Sequence, residues 1–450
     1  MNRLLALLLV VGVTYLITSR VPPPGFAARG TGLALGFTLI AAALAGEIFG
    51  RLRLPRITGY LLFGMLCGPY LGEIINSAMA RELQFVNGVA IALIAFVAGT
   101  EFNLQRLRPR LRAMLEMGAV IILLMWIGLW AVYWAAWPWL PLVPEADALQ
   151  RLALSALLST VTVTFSPTVT IAVIAESRAR GPLAELVLAV VILGDLMLIV
   201  LFTLSSEAVR WSLGEAPLAG AGIVSGLAWE IFGSLAFGAL VGSIFALYLR
   251  GVGREVTVVL LGVCALLSQL GSALHFEPLL AALAAGLVVE NIAPPQGDAL
   301  RDAVERGALP VLVIFFAAAG ANLHLAALAE IGLLAIGVSA LRLAFIRLGT
   351  HLGCRAAGLD SPQARMVWMG LVSQAGVTLG LAILVASEFP GWGEQLATLT
   401  VALIALHEMV GPILFRSALA RAGEIGKMDE HVPAPRARDG AGEAEAPAQA

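Results

Sequence analysis

The sequence predicts an all-α polytopic membrane protein with 13–14 transmembrane helices in two inverted six-helix repeats. Composition is the first observation behind this fold class. Hydrophobic residues make up 59% of the chain and charged residues 13%, whereas a soluble domain carries about 25% charged residues. The second observation is a series of apolar segments near the ~20 residues that a spanning helix needs. The third is that segments of the first half match segments of the second half in the same order.

Fourteen apolar segments are candidate transmembrane spans. They lie at 4–18, 31–50, 57–72, 83–102, 114–140, 152–177, 183–205, 226–249, 256–276, 277–292, 308–325, 333–353, 367–387 and 396–419. The first belongs to an N-terminal helix and linker, 1–30, and could also be part of a secretory signal. We expect a transmembrane domain at 31–419, with repeats at 31–205 and 256–419. The tail at 420–450 is rich in Ala, Pro, Gly and charged residues, which predicts disorder.

Positive charge alternates from loop to loop. Arginines cluster in every second loop, and the loops between them carry at most two positive charges each. The clusters are Arg51, Arg53 and Arg56; Arg106, Arg108, Arg110 and Arg112; Arg178 and Arg180; Arg250 and Arg254; Arg301 and Arg306; and Arg355 and Arg365. Cytoplasmic loops hold the excess of Lys and Arg, so we expect these loops and both termini to face the cytoplasm.

Three pairs of segments match without gaps between the two halves. One pair sets Gly99 on Gly320, and another sets Asp195 opposite Glu408. The pairs are "AFVAGTEFNL" (95–104) with "FFAAAGANLHL" (315–325), "SPTVTIAVIAES" (166–177) with "QAGVTLGLAILV" (374–385), and "LGDLMLIVLF" (193–202) with "LHEMVGPILF" (406–415). Matched spans lie seven apart, an odd number, so the halves must cross the membrane in opposite directions. Such inverted repeats are typical of secondary transporters, whose substrate site lies near the midplane at broken helices.

The span at 152–177 contains a predicted break. Its segment "STVTVTFSPTVT" includes Pro167, which cannot donate a backbone hydrogen bond and disfavours helix at the preceding residue. The hydroxyls of Thr164, Ser166 and Thr168 can satisfy the freed backbone groups or offer oxygens to a cation. The matched segment "SQAGVTLG" (373–380) has two glycines at the same place. A simple proline kink is the alternative to a break that lines a cavity.

Asp195 lies deep in the predicted bilayer. It stands in "VILGDLMLIV", about 18 Å into its span at 1.5 Å per residue. A carboxylate at that depth costs roughly 2.5–3.5 kcal/mol on insertion scales, so we expect a functional role. One carboxylate can hold a proton or a hard monovalent cation but not both, and this competition is the chemistry that an antiporter needs. A structural acid paired with a base is the alternative.

Three further residues are candidates for the charge balance of this site. Arg342 lies mid-span in "VSALRLAFIRLG", and we expect it to pair with an intramembrane carboxylate. Glu408 is predicted to be a salt-bridge partner, a second ion site, or part of a pH sensor with the adjacent His407.

Five segments together resemble the monovalent cation:proton antiporter superfamily. They are "RLPRITGYLLFGMLCGPYLG" (53–72), "IAFVAGTEFNLQRLR" (94–108), the "FSPT" break, the "GD" helix and "HEMVGPILF" (407–415 within the last span). This is the sodium/hydrogen exchanger fold, to which the membrane domain of the glutathione-gated potassium efflux systems is related. The resemblance implies crossed broken helices and a homodimer in which one domain scaffolds while the other carries the ion in an elevator motion.

The resemblance also implies roles for particular residues. Asp195 takes the place of the family's ion-binding aspartate, and Arg342 is the counterpart of its basic partner. Two departures reduce the charge of the site. Gly194 stands where relatives commonly have Asp or Asn, and Phe165-Ser166-Pro167 stands where they often have Thr-Asp-Pro.

These observations favour a secondary antiporter that exchanges Na⁺ or K⁺ for H⁺ across a cell membrane, as in a bacterial inner membrane. A channel-like cation efflux pathway and a membrane sensor or scaffold with vestigial transport are the alternatives. An enzyme is not expected, because no span pairs a nucleophile with a base. No cofactor is expected. A net charge of −2 argues against nucleic acid as a partner, and the cysteines, Cys67, Cys264 and Cys354, show no metal-ligand spacing.

Overall fold

The computed structural model describes most of the region between residues 30 and 427. The described residues are 7, 11, 30–52, 54–75, 77–101, 104–140, 143, 146–214, 220–274, 276–292, 298–321, 325–359, 361–374, 378, 381–382, 385–386, 389 and 392–427. The predicted span at 4–18, apart from positions 7 and 11, and the predicted tail beyond 427 lie outside these residues.

Helices form nearly all of the described part of the chain, and no strand occurs in it. The α-helices are α1 (Gly30–Arg51), α2 (Arg56–Cys67), α3 (Ser77–Glu101), α4 (Leu104–Ala136), α5 (Ala148–Val163), α6 (Pro167–Glu176), α7 (Pro182–Ser212), α8 (Gly220–Gly251), α9 (Val256–Ala273), α10 (Pro278–Ile292), α11 (Asp298–Ala321), α12 (Leu325–Ala356) and α13 (Trp392–Arg421). Two 3₁₀ helices span Trp137–Trp139 and Ala364–Gly370. Six of the described segments are long and apolar enough to cross a membrane, and shorter apolar helices accompany them. The predicted all-α multi-pass fold is confirmed.

The predicted break in the span at 152–177 is confirmed. Helix α5 ends at Val163, α6 begins at Pro167, and the backbone between them is extended, with φ −112° and ψ 101° at Ser166. Proline at the first helical position suits the start of α6, because its missing N–H would have no helical partner there.

The matched segment of the second half is also interrupted. The 3₁₀ helix ends at Gly370, and residues 371–374 are not helical. Of the glycine-containing stretch that follows, 375–377 and 379–380 lie outside the described residues. The predicted span therefore contains a non-helical stretch at 371–374, whereas the two glycines at which the break was predicted lie outside the described residues.

The inverted repeat is visible in how the helices pack. Gly99 in α3 meets α10 so closely that a Cβ atom at this position would lie 2.2 Å from the carbonyl oxygen of Leu283. Gly320 in α11 meets α2 in the same way, with 2.1 Å from a Cβ atom to the carbonyl oxygen of Leu61. The pair that the sequence aligned, Gly99 and Gly320, thus occupies equivalent helix crossings.

The reverse contacts repeat this correspondence. A Cβ atom at Gly286 in α10 would lie 2.0 Å from the carbonyl oxygen of Phe96, and one at Gly64 in α2 would lie 1.9 Å from that of Ala317. Real Cβ atoms do not come this close to a backbone oxygen, so glycine allows the helix backbones to touch, as small residues do between membrane helices. Both crossings therefore require glycine on each helix.

The helices form two bundles. We call α4, α5, α6, α7, α12, the 3₁₀ helix 364–370 and α13 the site bundle, and α1, α2, α3 and α8 to α11 the flanking bundle. Most helix contacts lie within one bundle or the other. The bundles meet where α3 packs on α6, α2 packs on α13 and α6, and α7 packs on α8. The site bundle carries both interruptions and both matched acids.

Candidate ion-binding site

Two interrupted segments meet inside the site bundle. The hydroxyl oxygens of Thr164, in the first, and Thr378, in the second, lie 2.6 Å apart. Ser166 accepts a hydrogen bond at its Oγ from the backbone N–H of Val169 at 3.1 Å, which caps the N-terminus of α6. Its hydroxyl is also 3.1 Å from that of Thr168, and both residues are buried. The candidate oxygen ligands therefore lie in the non-helical stretch and in the first turn of α6.

Arg342 in α12 joins the two interruptions. Its guanidinium is fully buried and donates hydrogen bonds to backbone carbonyl oxygens on both sides. The acceptors are Thr162 at 2.9 Å, Thr164 at 2.6 Å, Val372 at 2.8 Å and Leu371 at 3.3 Å. The last carbonyls of a helix have no helical donor and carry partial negative charge, so a cation is favourable there.

The partners of Arg342 differ from the sequence expectation. We expected a carboxylate, but within the described residues the guanidinium binds carbonyl groups. The physical reason is the number of acceptors. The broken helices leave several carbonyls without donors in one place, and the planar guanidinium can reach four of them, whereas a carboxylate would satisfy only part of it.

Gln374 extends the same network to α13. Its amide nitrogen donates to the carbonyl of Thr162 and to the hydroxyl of Thr164, both at 2.9 Å. Its amide oxygen must then face His407, whose Nδ1 lies 2.8 Å away and donates the proton. The Nε2 atom of His407 is buried without a hydrogen-bond partner among the described residues. His407 therefore belongs to the network of the crossing.

Asp195 lies beside this crossing, on α7. The preceding residue, Gly194, packs against the ring of Phe165, the middle residue of the first interruption. The Asp195 side chain is partly exposed, and within the described part of the chain its carboxylate accepts no hydrogen bond and forms no salt bridge. The charge that acts on it is Glu277, at the start of α10 in the flanking bundle. Asp195 is thus a carboxylate without a donor, located between the bundles.

Phe165 contacts both Arg342 and the residue that precedes Asp195. Its ring centroid is 5.8 Å from the guanidinium carbon of Arg342, a cation–π distance. A Cβ atom at position 194 would lie only 2.7 Å from the same ring. Phe165 therefore fills the space that an Asp or Asn side chain at position 194 would need. The two departures from the family pattern, at 165 and at 194, compensate each other sterically.

Several residues of the site escaped the sequence reasoning. Gln374 lies in the segment 373–380, but the glycines of this segment, and not its amide side chain, predicted the break. Glu277 belongs to no recognisable motif, because it lies at the edge of a short apolar segment. In the structure its backbone N–H donates a hydrogen bond to the hydroxyl of Ser234 in α8 at 2.8 Å. Tyr133 in α4 shares a hydrogen bond of 2.8 Å with the hydroxyl of Thr162. The signal that could have identified Gln374 and Tyr133 is a polar residue inside a predicted apolar span.

Glu408 lies apart from this network. It is 2% exposed on α13, next to His407 but directed elsewhere, since no described donor or charge interacts with its carboxylate. The predicted salt bridge of Glu408 is therefore absent from the described residues.

Comparison with known protein families shows which family this chain belongs to. The family model described as sodium/hydrogen exchanger, transmembrane, matches residues 37–420. The chain belongs to the sodium/hydrogen exchanger family. Solved structures of the sodium proton antiporter MjNhaP1 from Methanocaldococcus jannaschii share this fold. One, at pH 8, has a TM-score of 0.65 and 18% identity over 90% of this chain and 100% of that chain. An electron-microscopy structure has a TM-score of 0.69 and 19% identity over 87% and 97%.

Two curated relatives of this exchanger come from Bacillus cereus. The probable Na⁺/H⁺ antiporter GerT is 32% identical over 90 residues, which are 20% of this chain and 24% of that protein. The Na⁺/H⁺-K⁺ antiporter GerN is 32% identical over 95 residues, 21% of this chain and 24% of that protein. The aligned region thus covers about a quarter of the length of either relative.

Proposed function

We propose that this exchanger moves a monovalent cation, Na⁺ or K⁺, in exchange for H⁺, with Asp195 as the carboxylate that the two ions share. The observation that carries the proposal is the environment of Asp195. In the exchanger fold, its side chain stands beside the crossing of the interrupted helices and has no donor among the described residues. A carboxylate without a donor in such a place is costly, and a bound proton or cation removes that cost.

The neighbouring residues support cation binding by oxygen. The hydroxyls of Ser166 and Thr168 and the extended backbone at 164–166 offer the hard oxygen atoms that Na⁺ and K⁺ prefer. Thr164 contributes indirectly, because its hydroxyl is engaged with Gln374 and Thr378. Asp195 would then supply the negative charge, and the break would supply neutral ligands.

Arg342 has a positioning role in this proposal. By donating to carbonyls of both interruptions, it holds the crossing together without occupying Asp195. The ring of Phe165 lies over the guanidinium of Arg342 and also packs against Gly194, the residue before Asp195. Asp195 therefore keeps its negative charge available for the transported ions.

The two-bundle architecture supports an elevator form of alternating access. Asp195 belongs to the site bundle, whereas Glu277 and α8 belong to the flanking bundle. A movement of the site bundle relative to the flanking bundle would carry Asp195 and both interruptions together. We further propose a homodimer in a cell membrane, with both termini on the cytoplasmic side, in accordance with the arginine clusters of alternate loops.

The test uses purified protein in liposomes that contain a pH-sensitive dye. Na⁺, K⁺ or Li⁺ is added outside, and proton movement is followed for the wild type, for Asp195→Asn and for Glu394→Gln, an exposed acid on α13 that serves as control. We expect cation-dependent proton movement in the wild type and the control, and none in Asp195→Asn. Cation current without coupled proton movement would instead support the channel alternative. Wild-type protein that is folded and silent with all three cations would overturn the proposal.

A further inference from the structure

Glu408 is an acid inside a spanning helix that the site around Asp195 does not use. It is 2% exposed, near the middle of α13. One turn before it on the helix, Ile404 and Ala405 pack on Met65 and Leu62 of α2. Residues four apart lie on one face of a helix, so Glu408 faces the flanking bundle across the same boundary.

No group in the described residues compensates the carboxylate of Glu408. It accepts no hydrogen bond, forms no salt bridge, and no charged group acts on it. The large polar groups buried nearby differ in this respect. Arg342 makes four hydrogen bonds and Gln374 makes three. An uncompensated carboxylate in an apolar contact is unfavourable, and binding a proton makes it neutral.

The titratable groups around α13 have other partners or lie elsewhere. On the elements packed against α13 and on α13 itself, those other than Glu408 whose side chains the structure describes are Arg56, Tyr60, Cys67, Arg151, Glu176, Arg342, Arg347, His351, Cys354, Arg355, Arg365, Glu394, His407, Arg416 and Arg421. Arg342 acts on His407 rather than on Glu408, and Glu176 binds the backbone N–H groups at the start of α2. None of these groups neutralises Glu408.

The inverted repeat relates Glu408 to Asp195. Helix α13 corresponds to α7 by the match of 193–202 with 406–415. Helix α2 corresponds to α10, as the glycine crossings show. The charge of Glu277, at the start of α10, acts on Asp195 across the bundle boundary. Glu408 faces α2 across the same boundary. Both acids therefore lie on the site bundle at its boundary with the flanking bundle, where a relative movement would change their surroundings.

We propose that Glu408 is a second proton-binding site of this exchanger, carried by the same bundle as Asp195. The inference rests on the proposed antiport. On one side of the membrane the O–H bonds of Asp195 and Glu408 both break and the two protons pass to water; a cation then replaces the proton at Asp195, while Glu408 binds no cation. On the other side the cation leaves Asp195, and both carboxylates form an O–H bond with a proton taken from water. Two protons then move against one cation, and one net positive charge crosses the membrane per cycle.

The first measurement is the proton-to-cation ratio in liposomes with the membrane potential clamped at zero. For a fixed cation gradient, we determine the pH difference at which net cation flux stops. With two protons per cation, wild type and the control Glu394→Gln should stop at half the pH difference that Glu408→Gln requires. Equal stopping points for wild type and Glu408→Gln would overturn the proposal. Glutamine keeps the size of the side chain, and elution as a single species checks that the variant is folded.

The second measurement does not depend on transport. Infrared difference spectra of Asp195→Asn are recorded while pH is titrated, and the carbonyl stretch of a protonated carboxylic acid is followed. We expect a titrating band that is lost in the double variant with Glu408→Gln. A spectrum unchanged by the second substitution would overturn the proposal even in active protein. If the wild type exchanges no cation, the proposed antiport fails, and this spectrum alone decides whether Glu408 binds a proton.

Discussion

The two halves of this exchanger share their backbone packing but differ in chemistry. The glycine crossings of α3 with α10 and of α11 with α2 agree in the residues involved and to within 0.1 Å in the closest approach, 2.2 Å and 2.1 Å. The interruptions do not agree. The first has Ser166 as a helix cap followed by Pro167, and the second contributes Gln374 and carbonyl groups that accept hydrogen bonds from Arg342. Helix contact therefore constrains both copies alike, while the polar residues are free to diverge.

The acids differ in the same way. Asp195 is partly exposed and lies in the field of Glu277, whereas Glu408 is 2% exposed among apolar side chains. Arg342, which comes from the second half, serves both interruptions. One half thus supplies the carboxylate of the proposed ion site, and the other supplies the guanidinium that joins the two interruptions. The following predictions address this asymmetry, in order of decreasing effect.

The largest loss of stability is expected for Arg342→Leu. The substitution leaves carbonyls of both halves buried without a donor, each at a cost of about 1–3 kcal/mol. We expect the protein to be strongly destabilised, with a large fall of the melting temperature in detergent. Arg342→Lys should recover only part of the lost melting temperature, because an ammonium group lacks the planar array of N–H donors of a guanidinium. Full recovery by lysine would mean that charge alone matters.

Alanine in place of glycine should destabilise the two glycine crossings by the same amount. Gly99→Ala and Gly320→Ala each force a Cβ atom against a carbonyl oxygen, and we expect each to cost about 1–3 kcal/mol. Gly337→Ala in α12 is the control, since a Cβ atom there meets nothing within 4 Å. Melting temperatures of the three variants check this. Unequal effects at Gly99 and Gly320 would show that the packing symmetry does not extend to energetics.

Substitutions at Gly194 and Phe165 should have non-additive effects on stability, because the two residues are in contact. Gly194→Asn alone is expected to destabilise the protein by about 1–3 kcal/mol, because its side chain collides with the ring. Combined with Phe165→Ala, which removes the ring, it should cost less than the sum of the two single variants. A double-variant cycle of melting measurements and of exchange in liposomes tests this. Strict additivity would indicate that the ring moves away at no cost.

The smallest effect is expected at the N-terminal end of α7. Glu424, which follows α13, accepts hydrogen bonds from the backbone N–H groups of Leu183 and Ala184 at 2.7 and 2.9 Å. Glu424→Gln keeps one acceptor but removes the charge, so we expect a loss of roughly 0.5–1 kcal/mol. Hydrogen exchange should increase in the first turn of α7 and stay unchanged at the start of α13. A change at both helices would contradict a local cap.

The sequence by itself determined the features that depend on local pattern. Apolar length predicted the spanning helices, Pro167 predicted the break, and the alignment that sets Gly99 on Gly320 indicated an inverted repeat. The position of Asp195 near the middle of a long apolar helix also followed from its distance along an apolar run. These features could be read because helix formation and helix length depend on neighbouring residues and on the thickness of the bilayer.

Only the tertiary structure decided which side chains meet. The acceptors of Arg342, the ring of Phe165 against Gly194 and the field of Glu277 at Asp195 join residues far apart in the chain. The sequence expectation of a carboxylate for Arg342 treated charge as the only possible partner. In the folded chain, the carbonyl groups freed by two interruptions converge on one point, and that convergence exists only once the helices have crossed.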